Sequence, residues 1–275
     1  MSEISEQRLK MQVDVRGEAA PLVLVGGGLT GMLSFEPHQA RLAHERRVVR
    51  AQLLSVQYGL EDRPLPLRYS LRMESEALSN ALEALDLTTP FDVVAWSYGA
   101  AISLDYALNH PERIRTLTLI EPPAFWVLDA TGRTDAKSVE QKKEMATLNA
   151  KMRQDIGQAE LADFLRQAGM CPPDRAPQSM PQWPVWYEHR RSLRANAAPL
   201  DHTDSAARLT AFEPPVLLVK GTGSAHFLHA IIDALAATIP NGRVIELPSG
   251  HAPHLVAMDR FLSEVTSFQR SQESR

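Results

Sequence analysis

Cysteine is almost absent from this chain of 275 residues, because Cys171 is the only one. No disulfide can form within the chain, which fits a reducing compartment and predicts a cytoplasmic protein. Long apolar runs are also absent, and none approaches the roughly 20 residues that a membrane-spanning helix needs. The first ten residues, MSEISEQRLK, are partly acidic and have no apolar centre, so we expect no secretory signal there.

An excess of positive charge is missing too. The chain has 29 Lys and Arg against 33 Asp and Glu, a formal net charge of −4. Such a balance creates no basic field, so neither nucleic acid nor a membrane is expected as a partner. The sequence carries no signal for the oligomeric state and leaves a homodimer open.

Short apolar runs alternate with amphipathic segments over the first 120 residues and again near the end. PLVLV at 21–25 and FDVVAW at 91–96 are typical of buried strands, and SLRMESEALSNALEALDL at 70–87 is typical of a helix. We also predict strands at 8–15 and over RRVVRAQLLSV at 46–56. This alternation predicts an α/β fold with a mostly parallel, doubly wound sheet.

The middle of the chain breaks this alternation. Residues 125–206 contain helical segments and a proline-rich stretch, CPPDRAPQSMPQWP, and no strand pattern. We predict that residues 125–206 form a helical cap over one end of the sheet. Residues 1–124 and 207–275 would form the core.

A serine stands between a predicted strand and a predicted helix in DVVAWSYGAAISL, residues 92–104. A sharp turn there would expose Ser97 and bring together the residues two before and two after it, so both must be small. They are Ala95 and Gly99. Ser97 is therefore a candidate nucleophile, and the alternative is that it only caps the helix.

Three motifs, each at the end of a predicted strand, carry a resemblance to a known family. They are VGGGLTG at 25–31, AWSYGA at 95–100 and PSGHAPHL at 248–255. With them the chain resembles the α/β-hydrolase family, although Ala95 replaces the first glycine of the usual Gly-x-Ser-x-Gly. The resemblance implies a capped serine-nucleophile enzyme that needs no cofactor.

A serine nucleophile needs a base to take its proton. The resemblance implies His251 in this role, with His254 as its competitor and helix capping as the structural alternative for His251. Six further histidines are expected at the surface or in the cap; they are His44, His110, His189, His202, His226 and His229.

The acid of the expected triad is where the sequence departs from the family. Most members carry an Asp on the loop that here reads GTGSAHF, which has no carboxylate and places Ser224 near the expected position. A second position known in the family follows the next strand after the nucleophile, and here it is Glu121. We take Glu121 as the acid. A structural role for Glu121, a Ser–His dyad and the weaker candidates Asp129 and Asp204 stay open, whereas Asp233 lies too far along a helix.

An oxyanion formed during acyl transfer needs fixed donors. The resemblance implies the backbone amides of Tyr98 and Gly28, with Leu29 next. The same glycines partly match a nucleotide-binding pattern, but no lysine follows them and no acidic residue lies at the expected distance. No histidine pair stands with carboxylates at ligand spacing, so no metal site is expected.

Aromatic residues cluster beside the serine and in the predicted cap. We expect them to line a pocket for a small-molecule substrate with a hydrophobic or aromatic acyl part. The predicted reaction is hydrolysis of an ester, thioester or lactone. Carbon–carbon hydrolysis, cofactor-free oxygenation, acyl transfer and non-catalytic binding are the alternatives, because a fold does not fix its function. The predicted pocket residues are Trp96, Phe125, Trp126, Trp183 and Trp186.

Overall fold

The computed structural model describes residues 8–87, 89–153 and 156–272. Its strands are β1 (Gln12–Arg16), β2 (Pro21–Val25), β3 (Arg47–Gln52), β4 (Phe91–Trp96), β5 (Ile114–Ile120), β6 (Val216–Gly221) and β7 (Gly242–Leu247). They form one sheet in the order β1-β3-β2-β4-β5-β6-β7. β1 is antiparallel to β3, and the other pairs are parallel, so the predicted fold class is confirmed.

Helices cover both faces of the sheet. Alternate residues of β2 point into different apolar clusters: Val23 and Val25 into one, Leu22 and Leu24 into the other. In the described part of the chain, four α-helices precede β5. They are α1 (Glu36–Leu42), α2 (Leu54–Leu60), α3 (Leu71–Glu83) and α4 (Tyr98–Asn109).

The described residues between β5 and β6 form helices and loops but no strand. The helices are α5 (Phe125–Thr131), α6 (Ala136–Met152), α7 (Gln158–Gln167), α8 (Trp183–His189), α9 (Ala198–Asp201) and α10 (Ala206–Thr210). We call residues 125–206 the helical segment. The chain then closes with α11 (His226–Thr238), α12 (Pro253–Val256) and α13 (Met258–Ser271).

The helical segment has its own apolar cluster, which includes Leu148, Leu161 and Trp186. Its first helix, α5, packs instead into the main cluster of the sheet, where the Phe125 ring stacks on Phe227 at 4.8 Å between centroids. The helical segment is therefore anchored to the core from its first turn. None of the described helices is long and apolar enough to cross a membrane.

Two predicted strands differ from the observed ones. The strand expected at 8–15 begins at Gln12. The strand expected over 46–56 ends at Gln52, and α2 follows, so its second half was wrong. The cause lies 20 residues away: the buried Glu74 carboxylate accepts hydrogen bonds from the amides of Leu54 and Ser55, both at 2.8 Å, and so caps α2.

Two histidines are buried in the core beside α13. His38 Nε2 donates to the His254 carbonyl at 2.9 Å, and the His254 ring lies 4.6 Å from that of Trp96. Burial lowers the pKa of His38 to about 4. Burial also lowers the pKa of His254 well below its usual value. Both rings are therefore neutral in the folded protein at neutral pH.

We predict that acid destabilises the fold through His38. Below pH 6.5 the unfolded chain binds a proton at His38, whereas the folded chain does not until about pH 4. The free energy of unfolding should thus fall as the pH drops through this window, by about 2 kcal/mol at pH 5 from His38 alone. His38→Gln should remove this part of the difference between urea unfolding at pH 7.5 and pH 5. The exposed His44, changed to Gln, is the control, and an unchanged pH dependence in the His38 variant would contradict the prediction.

Candidate active site

Ser97 lies on a tight corner between β4 and α4. Its backbone has φ 54° and ψ −125°, a conformation that residues other than glycine rarely adopt. The Ser97 amide donates to the Ile120 carbonyl at 2.8 Å, which joins the corner to β5. A Cβ at Gly99 would lie 2.2 Å from the Gly26 carbonyl oxygen, so this position admits only glycine.

Ser97, His251 and Glu121 form a continuous chain of hydrogen bonds. His251 Nε2 lies 2.8 Å from Ser97 Oγ, and His251 Nδ1 lies 2.8 Å from Glu121 Oε2. Because an ionised carboxylate only accepts, Nδ1 carries the imidazole proton, and Nε2 is left to accept from the serine hydroxyl. The Glu121–His251 distance lies within the range of about 2.7–2.9 Å that is usual for a charge-assisted hydrogen bond.

The backbone of His251 is fixed as firmly as its ring. Its amide donates to the carbonyl of Gly169 in the helical segment at 3.1 Å. Its carbonyl accepts from Trp96 Nε1 at 2.6 Å. Both ring nitrogens and both backbone polar groups of His251 therefore have partners, and the imidazole has little freedom to turn.

Glu121 occupies the first position after β5 and is fully buried. Its Oε1 accepts from the Gly221 amide at 2.6 Å, so the last residue of β6 supports the carboxylate. Its φ is 46°, so Glu121, like Ser97, is one of the five described residues other than glycine that have a positive φ. Trp96 and Ile120 are paired in register, which places Ser97 and Glu121 side by side at the ends of adjacent strands.

The other candidates for base and acid lie elsewhere. His254 is fully buried against Trp96 and Phe35, away from the Ser97 hydroxyl. Asp233 is paired with Lys220 at 2.6 Å. Asp129 is bonded to Lys142 and Asp204 to Arg208, and Ser224 Oγ has no hydrogen-bond partner among the described residues.

Two of the three predicted oxyanion residues line the cavity beside Ser97. They are Gly28 and Tyr98. The Tyr98 amide is the first of α4, so it has no partner within the helix. A Cβ at Gly28 would lie 3.2 Å from the Tyr98 ring, which shows how closely the two residues approach. The side chain of Leu29 packs instead into the apolar cluster of the helical segment.

A buried hydrogen-bond chain holds the Tyr98 ring. Tyr69 donates to Glu74 Oε1 at 2.5 Å, so its oxygen is free to accept from the Tyr98 hydroxyl at 3.0 Å. Burial raises the pKa of both tyrosines well above the usual value, and burial raises the pKa of Glu74 as well. No sequence motif marks this hydrogen-bond chain, because Tyr69 and Glu74 lie in a loop and a helix far from the serine motif.

The cavity beside Ser97 is small and mostly apolar, with a volume of about 40 Å³. The five aromatic residues predicted to line it are not among its lining residues. Trp96 lies behind His251, Phe125 and Trp126 pack into the main core, Trp186 packs within the helical segment, and Trp183 stacks on Tyr187. Their size favours burial in apolar clusters, and their places in the sequence, beside the serine or in the helical segment, did not predict where they point.

The residues that do line the cavity come from several elements. The helical segment contributes Met145, Phe164, Ala168, Asn196 and Pro199. The core contributes Gly28, Ser97, Tyr98, Pro123, Phe227, Leu228 and His251. Asn196 is held by Asn149, whose Oδ1 accepts from Asn196 Nδ2 at 2.6 Å. No motif marks these residues, because they meet only through tertiary packing.

A second cluster of ionisable groups lies at the base of the helical segment. Asp105, His202 and Asp204 each offer a donor atom within 4.8 Å of the others. Arg72 lies 3.1 Å from Asp105, and Arg208 lies 2.6 Å from Asp204. Two arginines thus balance the two carboxylates, which is typical of a structural ion-pair network.

A family comparison agrees with this architecture. The model of the alpha/beta hydrolase family matches residues 22–264. The chain belongs to this family. The match includes the turn at Gly28, the corner at Ser97, and both Glu121 and His251.

Two hydrolases resemble part of the chain. A 2-hydroxymuconate semialdehyde hydrolase from Pseudomonas sp. (strain CF600) is 29% identical over 121 residues, 43% of this chain and 42% of that protein. A 2-hydroxy-6-oxo-2,4-heptadienoate hydrolase from Pseudomonas putida is 33% identical over 107 residues, 38% of each protein. These matches span only about two fifths of the curated relatives.

Solved structures resemble the whole fold. An esterase from Exiguobacterium antarcticum has a TM-score of 0.76 at 19% identity, covering 94% of this chain and 95% of that one. An enol-lactonase from Burkholderia xenovorans has a TM-score of 0.70 at 19% identity, with the same coverage. At these identities the likeness concerns the fold alone.

The backbone of Ser97 generates a prediction about stability. Ser97→Ala keeps the unfavourable φ of 54°, whereas Ser97→Gly relieves it. The relief of about 1–3 kcal/mol should exceed the added entropy of the unfolded glycine chain, so the Gly variant should be more stable than the Ala variant by about 1 kcal/mol. Urea unfolding of the two variants measures this difference. A Gly variant less stable than the Ala variant would show that the corner is unstrained.

Proposed function

We propose that this protein is a serine hydrolase that cleaves an ester, thioester or lactone with an apolar acyl part. The observation that supports this most strongly is the hydrogen-bonded chain Ser97–His251–Glu121 at the wall of an apolar cavity. A serine, a base and an orienting acid at these distances are the components of nucleophilic acyl transfer. The helical segment acts as the cap of the site.

In the first half of the reaction Ser97 Oγ attacks the carbonyl carbon of the substrate. His251 Nε2 takes the hydroxyl proton, and Glu121 stabilises the imidazolium that results. The carbonyl oxygen becomes negative and accepts hydrogen bonds from the amides of Gly28 and Tyr98. When the tetrahedral intermediate collapses, His251 gives its proton to the leaving alcohol or thiol, and the acyl group stays on Ser97.

In the second half a water molecule replaces the leaving group. His251 takes a proton from this water, which attacks the acyl carbon and forms a second oxyanion at the same two amides. Collapse of this intermediate returns the proton to Ser97 Oγ and releases the carboxylic acid. The chain's own side chains and amides carry each of these steps, so no cofactor is required. A single cysteine favours a reducing compartment such as the cytoplasm for the enzyme.

Hydrolysis of a carbon–carbon bond is the second candidate. Two relatives whose names include a semialdehyde and an oxo-dienoate as substrates support it, because these names describe ketone or aldehyde acids and not esters. A non-catalytic binding role is less favoured, because Glu121 supplies the carboxylate that the loop after β6 lacks.

We predict that the protein hydrolyses p-nitrophenyl esters and that Ser97 is required. Ser97→Ala should lower kcat/KM by about 10⁴-fold or more, since the members of a triad act as a unit. Ser103→Ala is the matched control, because Ser103 is a fully buried serine of α4, the helix that follows Ser97, and does not line the cavity. The Ser103 variant should keep its rate, and circular dichroism should be unchanged in both.

A fluorophosphonate probe identifies the nucleophile in the same samples. Mass spectrometry should place the phosphonyl group on Ser97 of the wild type and of the Ser103 variant. Turnover that survives in the Ser97 variant, or a label on another residue, would overturn the assignment. A wild type inactive on every ester but active on a vinylogous diketone acid would favour the carbon–carbon hydrolase instead.

A further inference from the structure

A wide groove lies beside the small catalytic cavity. It has a volume of about 810 Å³ and runs between the chain that follows α7 and the loops after β6 and β7. Met170, Cys171 and Met180 line it from the helical segment, and Ser224 and Gly250 line it from the core. The groove is thus of the size that small-molecule sites have, roughly 300–1,000 Å³, whereas the cavity at Ser97 is far below it.

Only a thin wall of backbone separates the groove from the cavity. Ala168 and His251 line the cavity, and their neighbours Gly169 and Gly250 line the groove. The His251 amide donates to the Gly169 carbonyl at 3.1 Å across this wall. A Cβ at Gly250 would lie 2.3 Å from the Gly169 oxygen, so the two backbones touch with no side chain of either residue between them.

The cavity at Ser97 is too small, as it stands, for an ester substrate. Its volume of about 40 Å³ is a few times the roughly 10–15 Å³ that one water molecule needs and lies far below the roughly 300–1,000 Å³ of small-molecule sites. Some contact must therefore open before a substrate can reach Ser97. At the wall, opening requires only that the Gly169 carbonyl move away from the His251 amide and Gly250, with no large buried side chain to extract.

We propose that the groove is the entrance to Ser97 and the binding site for the part of the substrate that extends beyond the ester bond. The contact of Gly169 with Gly250 and His251 is the gate between groove and cavity. This inference rests on the proposed hydrolase function and adds to it a route and a substrate class.

The groove's lining indicates an uncharged, extended substrate. Most of the lining side chains are apolar, including two methionines, whose flexible thioethers adapt to different chains. Arg166 is the one charged side chain among the described lining residues, and Asp163 already pairs with it at 3.3 Å. Ser224 lines the groove, but its Oγ is buried and faces away from a bound substrate. We therefore assign the groove to a medium-length acyl or alkyl chain.

Cys171 makes the proposal directly testable, because it is the only cysteine of the chain and it lines the groove. Partial burial raises the pKa of its thiol, so labelling should be done at about pH 8.5. Fluorescein maleimide would fill the groove at this position, and methyl methanethiosulfonate would add only a methylthio group. The reporters are hydrolysis of p-nitrophenyl octanoate and of p-nitrophenyl acetate.

The bulky label should lower kcat/KM for the octanoate by at least tenfold and for the acetate by less. The methylthio label should change either value by less than twofold. Cys171→Ser is the control, and the same treatment should leave its rate unchanged. That result would show that the loss of activity does not come from labelling at other residues. Full octanoate activity in completely labelled protein would overturn the proposal.

A second variant covers the case in which the bulky label lowers the melting temperature. Met180→Trp narrows the groove without a reagent and should selectively lower kcat/KM for the octanoate, by several fold. Equal rates for this variant and the wild type on both esters would likewise overturn the proposal. An unlabelled wild type that hydrolyses no ester would instead refute the hydrolase function, so the two failures are distinguishable.

Discussion

The bond between Glu121 and His251 is the interaction on which the rest of the site depends. It joins the end of β5 to the loop after β7 over 130 positions of the chain, and it fixes which nitrogen of His251 faces Ser97. The surrounding backbone is arranged to hold it: Gly221 supports the carboxylate, while Trp96 and Gly169 hold the main chain of His251. A neutral imidazole oriented in this way can accept a proton from the serine without first having to reorganise.

This arrangement also explains how the chain tolerates a loop after β6 that lacks the usual acid. The carboxylate comes instead from the residue after the neighbouring strand, β5, and its hydrogen-bond donor is the amide of Gly221, the last residue of β6 before that loop. Close packing follows, since a Cβ at Gly221 would lie 2.2 Å from the Gly250 carbonyl. The loop that usually provides the acid thus contacts both the acid and the histidine loop, and it forms one side of the proposed entrance.

The sequence was informative where chemistry depends on local geometry. Strand–helix alternation predicted the sheet, and the small residues around Ser97 predicted the sharp corner, because both patterns are set within a few residues. Distant contacts were not predictable in this way. The cap of α2 by Glu74 and the residues around the cavity depend on elements that meet only in the fold. Trp96 is the clearest case: it was expected in the pocket because it adjoins the serine, but alternation along β4 turns its ring to the opposite side, behind His251.

The most direct test of this account is the turnover of Glu121→Gln per folded molecule. The amide cannot serve as a charged partner of the imidazole, so kcat for p-nitrophenyl esters should fall by roughly a hundredfold or more while the fold is kept. Asp92→Asn is the matched control, because Asp92 is an equally buried carboxylate at the start of β4, paired with Arg46 at 2.5 Å and far from His251. That variant should lose stability and keep its turnover. The reverse result, an unstable Glu121 variant with normal turnover, would show that Glu121 is structural and would contradict the account.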